Sequence, residues 1–120
     1  MRLTGSVLVL SCSRLEACLE FYQSALQFVI IRQRRSAAEI EWVYLASGQC
    51  FLMLEKQAPE KNSKPDHSRL YLYTDDIAGL HHFLQARGFV PGEIRNTEYQ
   101  MREFDLSDPD GHRLSIGEKT

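Results

Sequence analysis

The sequence has few of the residues that mark specialised classes of protein. It contains three cysteines and four prolines in 120 residues, and no C-x-x-C pair occurs. An odd number of unclustered cysteines argues against a disulfide framework or a cysteine metal cluster, and it indicates reduced thiols. The apolar run nearest the N-terminus, residues 7–10, is too short for a signal peptide or a membrane span. We therefore expect a cytoplasmic protein with no membrane partner.

Charge of neither sign is in excess. The chain has 14 Lys+Arg against 16 Asp+Glu, a formal net charge of −2, which argues against a nucleic-acid partner. The basic cluster at residues 32–35 has no interleaved aromatic residues and is typical of a solvated loop. Hydrophobic residues make up 43% and charged residues 25% of the chain, so we expect a single globular domain over residues 1–120.

Hydrophobic periodicity predicts the same order of elements in each half of the chain: a strand, a helix and three strands. The predicted strands are residues 7–10, 28–31, 40–45, 50–54, 70–73, 89–90, 102–106 and 113–116. Residues 57–67 lie between the halves. They contain two prolines and no large aliphatic residue, which predicts an exposed linker.

Two helices are predicted from apolar residues that recur every three or four positions. The first spans about residues 14–26 and begins with a capping box of Ser13 and Glu16. The second follows Asp75 or Asp76, either of which can act as its N-cap. Each helix is expected to pack one apolar face on a sheet.

A single offset of 62 residues superimposes the two halves. It aligns Leu8 with Leu70, Leu10 with Leu72, Leu52 with Leu114 and Leu54 with Ile116. This internal repeat predicts an α+β fold of two tandem βαβββ modules, about residues 4–56 and 68–118, joined by the linker at 57–67. We expect curved mixed sheets with the helices on the convex face.

Side chains alternate between the two faces of a strand. The aligned leucines and Ile116 are expected to face the helices, so the residues that alternate with them line the concave side. That side is rich in aromatic rings, which is usual for a small-molecule site. The candidate ligand-binding residues are Trp42, Tyr44, Phe51, Met53, Arg69, Tyr71, Tyr73, Arg113 and Ser115. The rings either stack on a planar ligand or only fill the concave side.

The two candidate arginines allow two interpretations. Arg69 and Arg113 could bind a carboxylate or phosphate of a ligand through their guanidinium groups. Equally, carboxylates of the protein could neutralise them, and the candidates for this are Glu55, Glu103 and Asp105. The sequence alone leaves both interpretations open.

Two motifs accompany the repeat. The first is F-Y at residues 21–22 in a helix followed by L-x-F at 26–28, and the second is D-P-D-G at 108–111 between two strands. Over nearly the whole chain, these features resemble the vicinal oxygen chelate superfamily. That superfamily includes glyoxalase I, the extradiol dioxygenases, fosfomycin-resistance enzymes and the bleomycin-resistance proteins.

Metal-dependent members of that superfamily place a His, Glu or Gln ligand on the first and last strand of each module. The resemblance assigns these positions here to Val7, Met53, Arg69 and Ser115. None is a usual ligand for a divalent ion, and the permanent cation of Arg69 would repel one. The resemblance therefore implies a homodimeric binding protein of the bleomycin-resistance type with no metal or other cofactor.

The leading hypothesis is a metal-free protein that binds a small aromatic or drug-like molecule, as in antibiotic resistance, and has no catalytic residues. An alternative is a metal-dependent lyase, isomerase or dioxygenase of the same superfamily. It would use a displaced site at Glu55 and His67 for a divalent metal such as Ni, Zn, Mn or Fe. A third is a subunit that has lost ligand binding and serves only in assembly.

Overall fold

A computed structural model describes residues 1–57 and 67–120 of the chain. The linker predicted over residues 57–67 lies, apart from its two end residues, outside the described residues. The chain divides into two compact units, Met1–Lys64 and Pro65–Thr120, which we call the N-terminal module and the C-terminal module. Each contains one helix and one four-stranded sheet among the described residues.

The N-terminal module is a βαβββ unit. Its elements are β1 (Leu8–Cys12), α1 (Leu15–Leu26), β2 (Val29–Ser36), β3 (Glu39–Ser47) and β4 (Cys50–Lys56). The strand order is β1-β4-β3-β2, in which β1 pairs with β4 in parallel and the other pairs are antiparallel. Helix α1 packs on β3 and β4, and Leu52 and Leu54 of β4 are buried.

The C-terminal module has the same order of elements. They are β5 (Arg69–Tyr73), α2 (Ile77–Ala86), β6 (Arg95–Asn96), β7 (Met101–Ser107) and β8 (Arg113–Lys119). The strand order is β5-β8-β7-β6, with β5 and β8 parallel and the other pairs antiparallel. Helix α2 packs on β8, where Leu114 and Ile116 are buried.

The internal repeat is confirmed by both topology and register. The parallel pairs related by the offset of 62 residues are Leu8–Leu52 with Leu70–Leu114, and Leu10–Leu54 with Leu72–Ile116. The fold class predicted from the sequence, α+β with two tandem βαβββ modules and mixed sheets, is therefore confirmed.

The strand predicted at residues 89–90 is wrong. Both residues precede β6, which forms only at Arg95–Asn96. The N–H of Phe89 donates to the carbonyl of Leu84 at 3.0 Å, so this residue closes the C-terminus of α2 instead of joining the sheet. Pro91 then follows, and it has no N–H to donate to a neighbouring strand. The apolar pair at residues 89–90 therefore follows the end of a helix and is not part of a strand.

The predicted N-cap of α2 is confirmed, whereas that of α1 is wrong. Oδ1 of Asp76 accepts a hydrogen bond from the N–H of Gly79 at 3.0 Å and stabilises the first turn of α2. In α1 the N-cap is Arg14, which makes no side-chain cap hydrogen bond. Ser13 therefore lies one residue before the cap.

The structure also bears on the cysteines and on the expectation that no segment spans a membrane. Cys12 and Cys18 are buried and Cys50 is half-buried, and no disulfide joins two cysteines in the described part of the chain. Neither helix within residues 1–57 and 67–120 has the length and apolar character needed to span a membrane.

Candidate functional site

The sheet face of the N-terminal module that points away from α1 carries aromatic and apolar side chains. Strand pairing aligns Tyr44 with Met53 and Met53 with Val9 on this face. The ring centres of Trp42 and Tyr44 are 6.5 Å apart, and those of Tyr44 and Phe51 are 6.1 Å apart. The four candidate residues that the sequence places in this module therefore share one surface, which is only partly buried.

The two alternative metal ligands lie in different modules. Glu55 is exposed on β4, where its carboxylate accepts a hydrogen bond from Oγ of Ser11 at 3.4 Å. His67 is exposed and precedes β5. Both side chains are exposed, whereas metal ligands are normally oriented by partners in a second layer of residues.

The C-terminal module contains an open pocket of about 280 Å³ on its sheet. Its lining residues are Arg69, Tyr71, Tyr73, Tyr99 and Met101. The ring centres of Tyr71 and Tyr73 are 5.3 Å apart. Three phenol rings, a thioether and one guanidinium suit a small aromatic molecule, because the rings offer apolar faces and the guanidinium offers directed donors.

A buried carboxylate holds two of these rings in place. Glu103 on β7 is 2% exposed. It accepts hydrogen bonds from the phenols of Tyr71 and Tyr99, each at 2.7 Å, and from Nη2 of Arg95 at 2.6 Å. An ionised carboxylate can accept all three bonds at once. The orientation of both tyrosine side chains is therefore fixed by one acceptor.

Hydrogen bonding keeps Glu103 ionised despite its burial. Burial acts to raise the pKa of Glu103, but the hydrogen bonds from Tyr71, Tyr99 and Arg95 outweigh it and hold the pKa below its ordinary value of 4.5. Burial and the hydrogen bond to this carboxylate raise the pKa of Tyr71. Near neutral pH the pair is thus a charged carboxylate and a neutral phenol.

Arg95 links this carboxylate to a second one. Its guanidinium donates to Asp105 through Nη1 and Nη2, each at 3.2 Å, and Oγ of Ser115 donates to Asp105 at 2.6 Å. Burial acts to raise the pKa of Asp105, but the hydrogen bonds from Ser115 and Arg95 and the charges of Arg95 and Arg69 lower it overall. The candidate residue Ser115 is fully buried in this arrangement. The Glu103 network comprises Tyr71, Arg95, Tyr99, Glu103, Asp105 and Ser115.

Gly117 provides the space that the side chain of Tyr71 occupies. On β8, Gly117 pairs with Tyr73 on one side and with Glu103 on the other, so Tyr71 crosses it diagonally to reach the carboxylate. A Cβ at this position would collide with the phenol oxygen of Tyr71 and would lie 2.9 Å from Cε of Met101. The lack of a side chain at Gly117 therefore permits the Tyr71–Glu103 hydrogen bond.

Of the two candidate arginines, Arg69 lines the pocket, and Arg113 lies next to Arg69 on the same face of the sheet. Arg69 and Arg113 are opposite each other in the parallel β5–β8 pair, and both are exposed. The guanidinium carbon of Arg69 is 5.8 Å from the ring centre of Tyr71. Within the described residues, the salt bridges of Glu103 and Asp105 are made with Arg95, not with either of these arginines.

Sequence reasoning missed three residues of this site. Arg95 belongs to a strand of only two residues, and Tyr99 lies in the turn that follows it. Met101 was also not identified. One signal could have located the network: Met101, Glu103 and Asp105 alternate along β7 and so share its pocket face. Two carboxylates on one face need a cationic partner, and Arg95 forms the salt bridges with both.

The family model of the Glyoxalase/Bleomycin resistance protein/Dioxygenase superfamily matches residues 6–116. The chain belongs to this superfamily. No curated protein matches it.

Solved structures of the superfamily fold match this chain over nearly its full length. TnmS3, an antibiotic binding protein from Streptomyces sp. CB03234, is 24% identical, with a TM-score of 0.81 over 99% of this chain and 98% of that one. A glyoxalase/bleomycin resistance protein from the same organism is 26% identical, with a TM-score of 0.72 over 98% and 100%. Lactoylglutathione lyase from Agrobacterium tumefaciens is 17% identical, with a TM-score of 0.74 over 98% and 96%.

The resemblance to metal-dependent members assigns four metal-ligand positions to this chain. In the N-terminal module they are Val7 and Met53, which offer no imidazole or carboxylate. In the C-terminal module they are Arg69, a permanent cation, and Ser115, whose hydroxyl donates to Asp105. At these four assigned positions the side chains are therefore unlike the usual ligands of Ni, Zn, Mn or Fe.

Proposed function

We propose that the chain binds a small aromatic organic molecule without a metal and without chemical turnover. The observation that carries the proposal is the pocket of the C-terminal module, in which one buried carboxylate fixes two of three tyrosine rings around a volume of about 280 Å³. Side chains that are ordered before a ligand arrives lose little conformational freedom when it binds. Preorganised rings of this kind favour the retention of a ligand.

The ionisable groups of the pocket favour binding over catalysis. A general acid or base works best when its pKa lies near the operating pH. Hydrogen bonding lowers the pKa of Glu103 against the effect of burial, and burial raises the pKa of Tyr71. Both shifts move the groups away from neutrality. We therefore assign both residues a positioning role, in which they orient rings and transfer no proton.

The comparisons support a drug-like ligand. TnmS3, whose fold this chain shares, is an antibiotic binding protein. The fold is also that of a lactoylglutathione lyase, so fold alone does not separate a binding protein from an enzyme. The unsuitable donor set at the superfamily's metal positions favours the binding protein.

Removing one ring of the pocket should weaken binding. We expect purified protein to bind naphthalene-2-carboxylate or naphthalene-2-carboxamide, and we expect Tyr73→Ala to weaken that binding by about tenfold because a stacked ring is lost. Tyr73 is 75% exposed and makes no hydrogen bond among the described residues that would couple it to folding. Isothermal titration calorimetry measures the affinity. The matched control is Val90→Ala, which removes an apolar side chain that is 89% exposed and outside the pocket.

Two results would contradict the proposal. One is that neither naphthalene probe binds, and the other is that stoichiometric metal co-purifies and binding is lost in EDTA. Unchanged affinity after EDTA treatment, together with weaker binding by Tyr73→Ala and normal binding by Val90→Ala, would support it.

We also propose that the protein is a cytoplasmic homodimer. Support for the dimer comes from β2, the edge strand of its sheet, in which every residue is exposed and which includes Val29, Ile30 and Ile31. An exposed edge strand with apolar side chains is a ready surface for pairing with a second copy. Light scattering should give twice the monomer mass, and Ile31→Lys should shift it toward the monomer. A monomeric mass for the unmodified protein would rule out the dimer.

A further inference from the structure

Two like charges lie next to each other beside the pocket. Arg69 and Arg113 are direct partners in the parallel β5–β8 pair, so their side chains leave the sheet on the same face. Like charges in directly opposed positions on neighbouring strands are destabilising. An arrangement of this kind is favourable when an anion lies between or above the two guanidinium groups.

The carboxylates of the pocket form their salt bridges with a different arginine. Glu103 and Asp105 form their salt bridges with Arg95, at 2.6 and 3.2 Å. Within residues 1–57 and 67–120, no salt bridge involves Arg69 or Arg113. By strand parity Lys119 lies on this face as well, so three arginines and one lysine outnumber the two carboxylates and leave an excess of positive charge that an anion would reduce.

The phenols of the pocket point to the same kind of ligand. The hydroxyl hydrogens of Tyr71 and Tyr99 are donated to Glu103. Tyr73 is 75% exposed, and its hydroxyl is available to donate. The donors that remain for a ligand therefore come from Tyr73 and the two guanidinium groups, and these groups select an acceptor-rich or anionic partner.

We propose that the ligand is an aromatic acid, whose ring lies against the tyrosines and whose carboxylate is bound by Arg69 and Arg113. This inference rests on the proposed function and adds the charge of the ligand to it. A guanidinium group binds a carboxylate through two parallel hydrogen bonds, which fixes the direction in which the ring enters the pocket.

Two probes of nearly equal shape, one charged and one neutral, test whether the protein prefers an anionic ligand. We expect the protein to bind naphthalene-2-carboxylate at least tenfold more tightly than naphthalene-2-carboxamide, since hydrogen bonds to charged groups are the stronger ones. Arg69→Gln should remove most of this preference, and Arg113→Gln should reduce it. The matched control is Arg102→Gln, which removes the same charge from β7 on the opposite face of the sheet. Calorimetric titrations give all affinities, and thermal melts verify that each variant folds.

The outcomes separate this inference from the proposed function. Equal affinity for the acid and the amide would overturn the aromatic-acid inference and leave binding of a neutral aromatic molecule in place. An equal loss of preference in Arg102→Gln would also overturn it, because the effect would then come from net charge. Binding of neither probe would overturn both proposals. A preference that falls in Arg69→Gln and Arg113→Gln alone, and that weakens with added salt, would support the inference.

Discussion

Replacing Glu103 by glutamine should lower the free energy of unfolding by about 2–3 kcal/mol, because a buried charge–hydrogen-bond network loses its central acceptor. Three donors, from Tyr71, Tyr99 and Arg95, meet at this one carboxylate. Glutamine keeps the size of the side chain but replaces one acceptor oxygen with a donor. Urea denaturation followed by far-UV circular dichroism measures the change.

The pH dependence of the same variant gives a second, independent test. The pKa of Glu103 in the folded protein is held below its ordinary value of 4.5 because the hydrogen bonds it accepts outweigh burial. Its stabilising contribution is therefore fully present above pH 4.5, and it is lost as the pH falls through the folded-state pKa. The stability gap between the unmodified protein and Glu103→Gln should narrow over that acidic range. A gap that is absent at pH 7, or that matches the exposed control Glu98→Gln, would contradict the role of the network.

Adding a single methyl group at Gly117 should cost about 2 kcal/mol of stability, because overpacking a filled position forces its neighbours to move. The new Cβ of Gly117→Ala would overlap the ring of Tyr71 and crowd Met101. To relieve the overlap, the ring must move away from Glu103 and weaken their hydrogen bond. We expect denaturation at a lower urea concentration and weaker binding of the naphthalene probes.

A double-mutant cycle shows whether this cost arises from the ring of Tyr71. When Tyr71→Ala has already removed the ring, Gly117→Ala should cost clearly less than it does alone, since the two positions are in contact. Equal costs in both backgrounds would show that the ring of Tyr71 is not the cause and would leave Met101, the other side chain that the new Cβ meets. Gly5→Ala is the matched control, because a Cβ there meets nothing within 4 Å.

The fold could be predicted from the sequence because its strands alternate and its halves repeat. The offset that aligns Leu8 with Leu70 and Leu52 with Leu114 predicted equivalent strands in the two halves. The structure pairs these residues at equivalent positions, Leu8 with Leu52 and Leu70 with Leu114. Element ends were less predictable. The apolar residues 89–90 follow the C-terminus of α2 and do not form a strand, since the backbone of Phe89 bonds back to the helix.

The candidate site could be predicted only in part. Strand parity placed Arg69, Tyr71 and Tyr73 on the face where the pocket lies, because parity depends on position alone. It could not show which charges pair. Arg95 and Tyr99 belong to a two-residue strand and a turn, where neither periodicity nor spacing carries a signal. The partners of Glu103 depend on the path of the chain from β6 through the turn to β7, and this path is a property of the folded backbone.

The offset between the modules also relates their chemistry position by position. Gly117 is the counterpart of Glu55, and Tyr71 is the counterpart of Val9. At equivalent positions, therefore, the N-terminal module carries an exposed acid that pairs with Ser11 and Trp42, while the C-terminal module leaves space for the phenol of Tyr71 to reach Glu103. Duplication of a half-size ancestor would account for the two modules. After it, the side chains of one module could change without a matching change in the other. The result is one architecture with two unlike surfaces, each able to diversify while the hydrogen bonds within the other sheet stay intact.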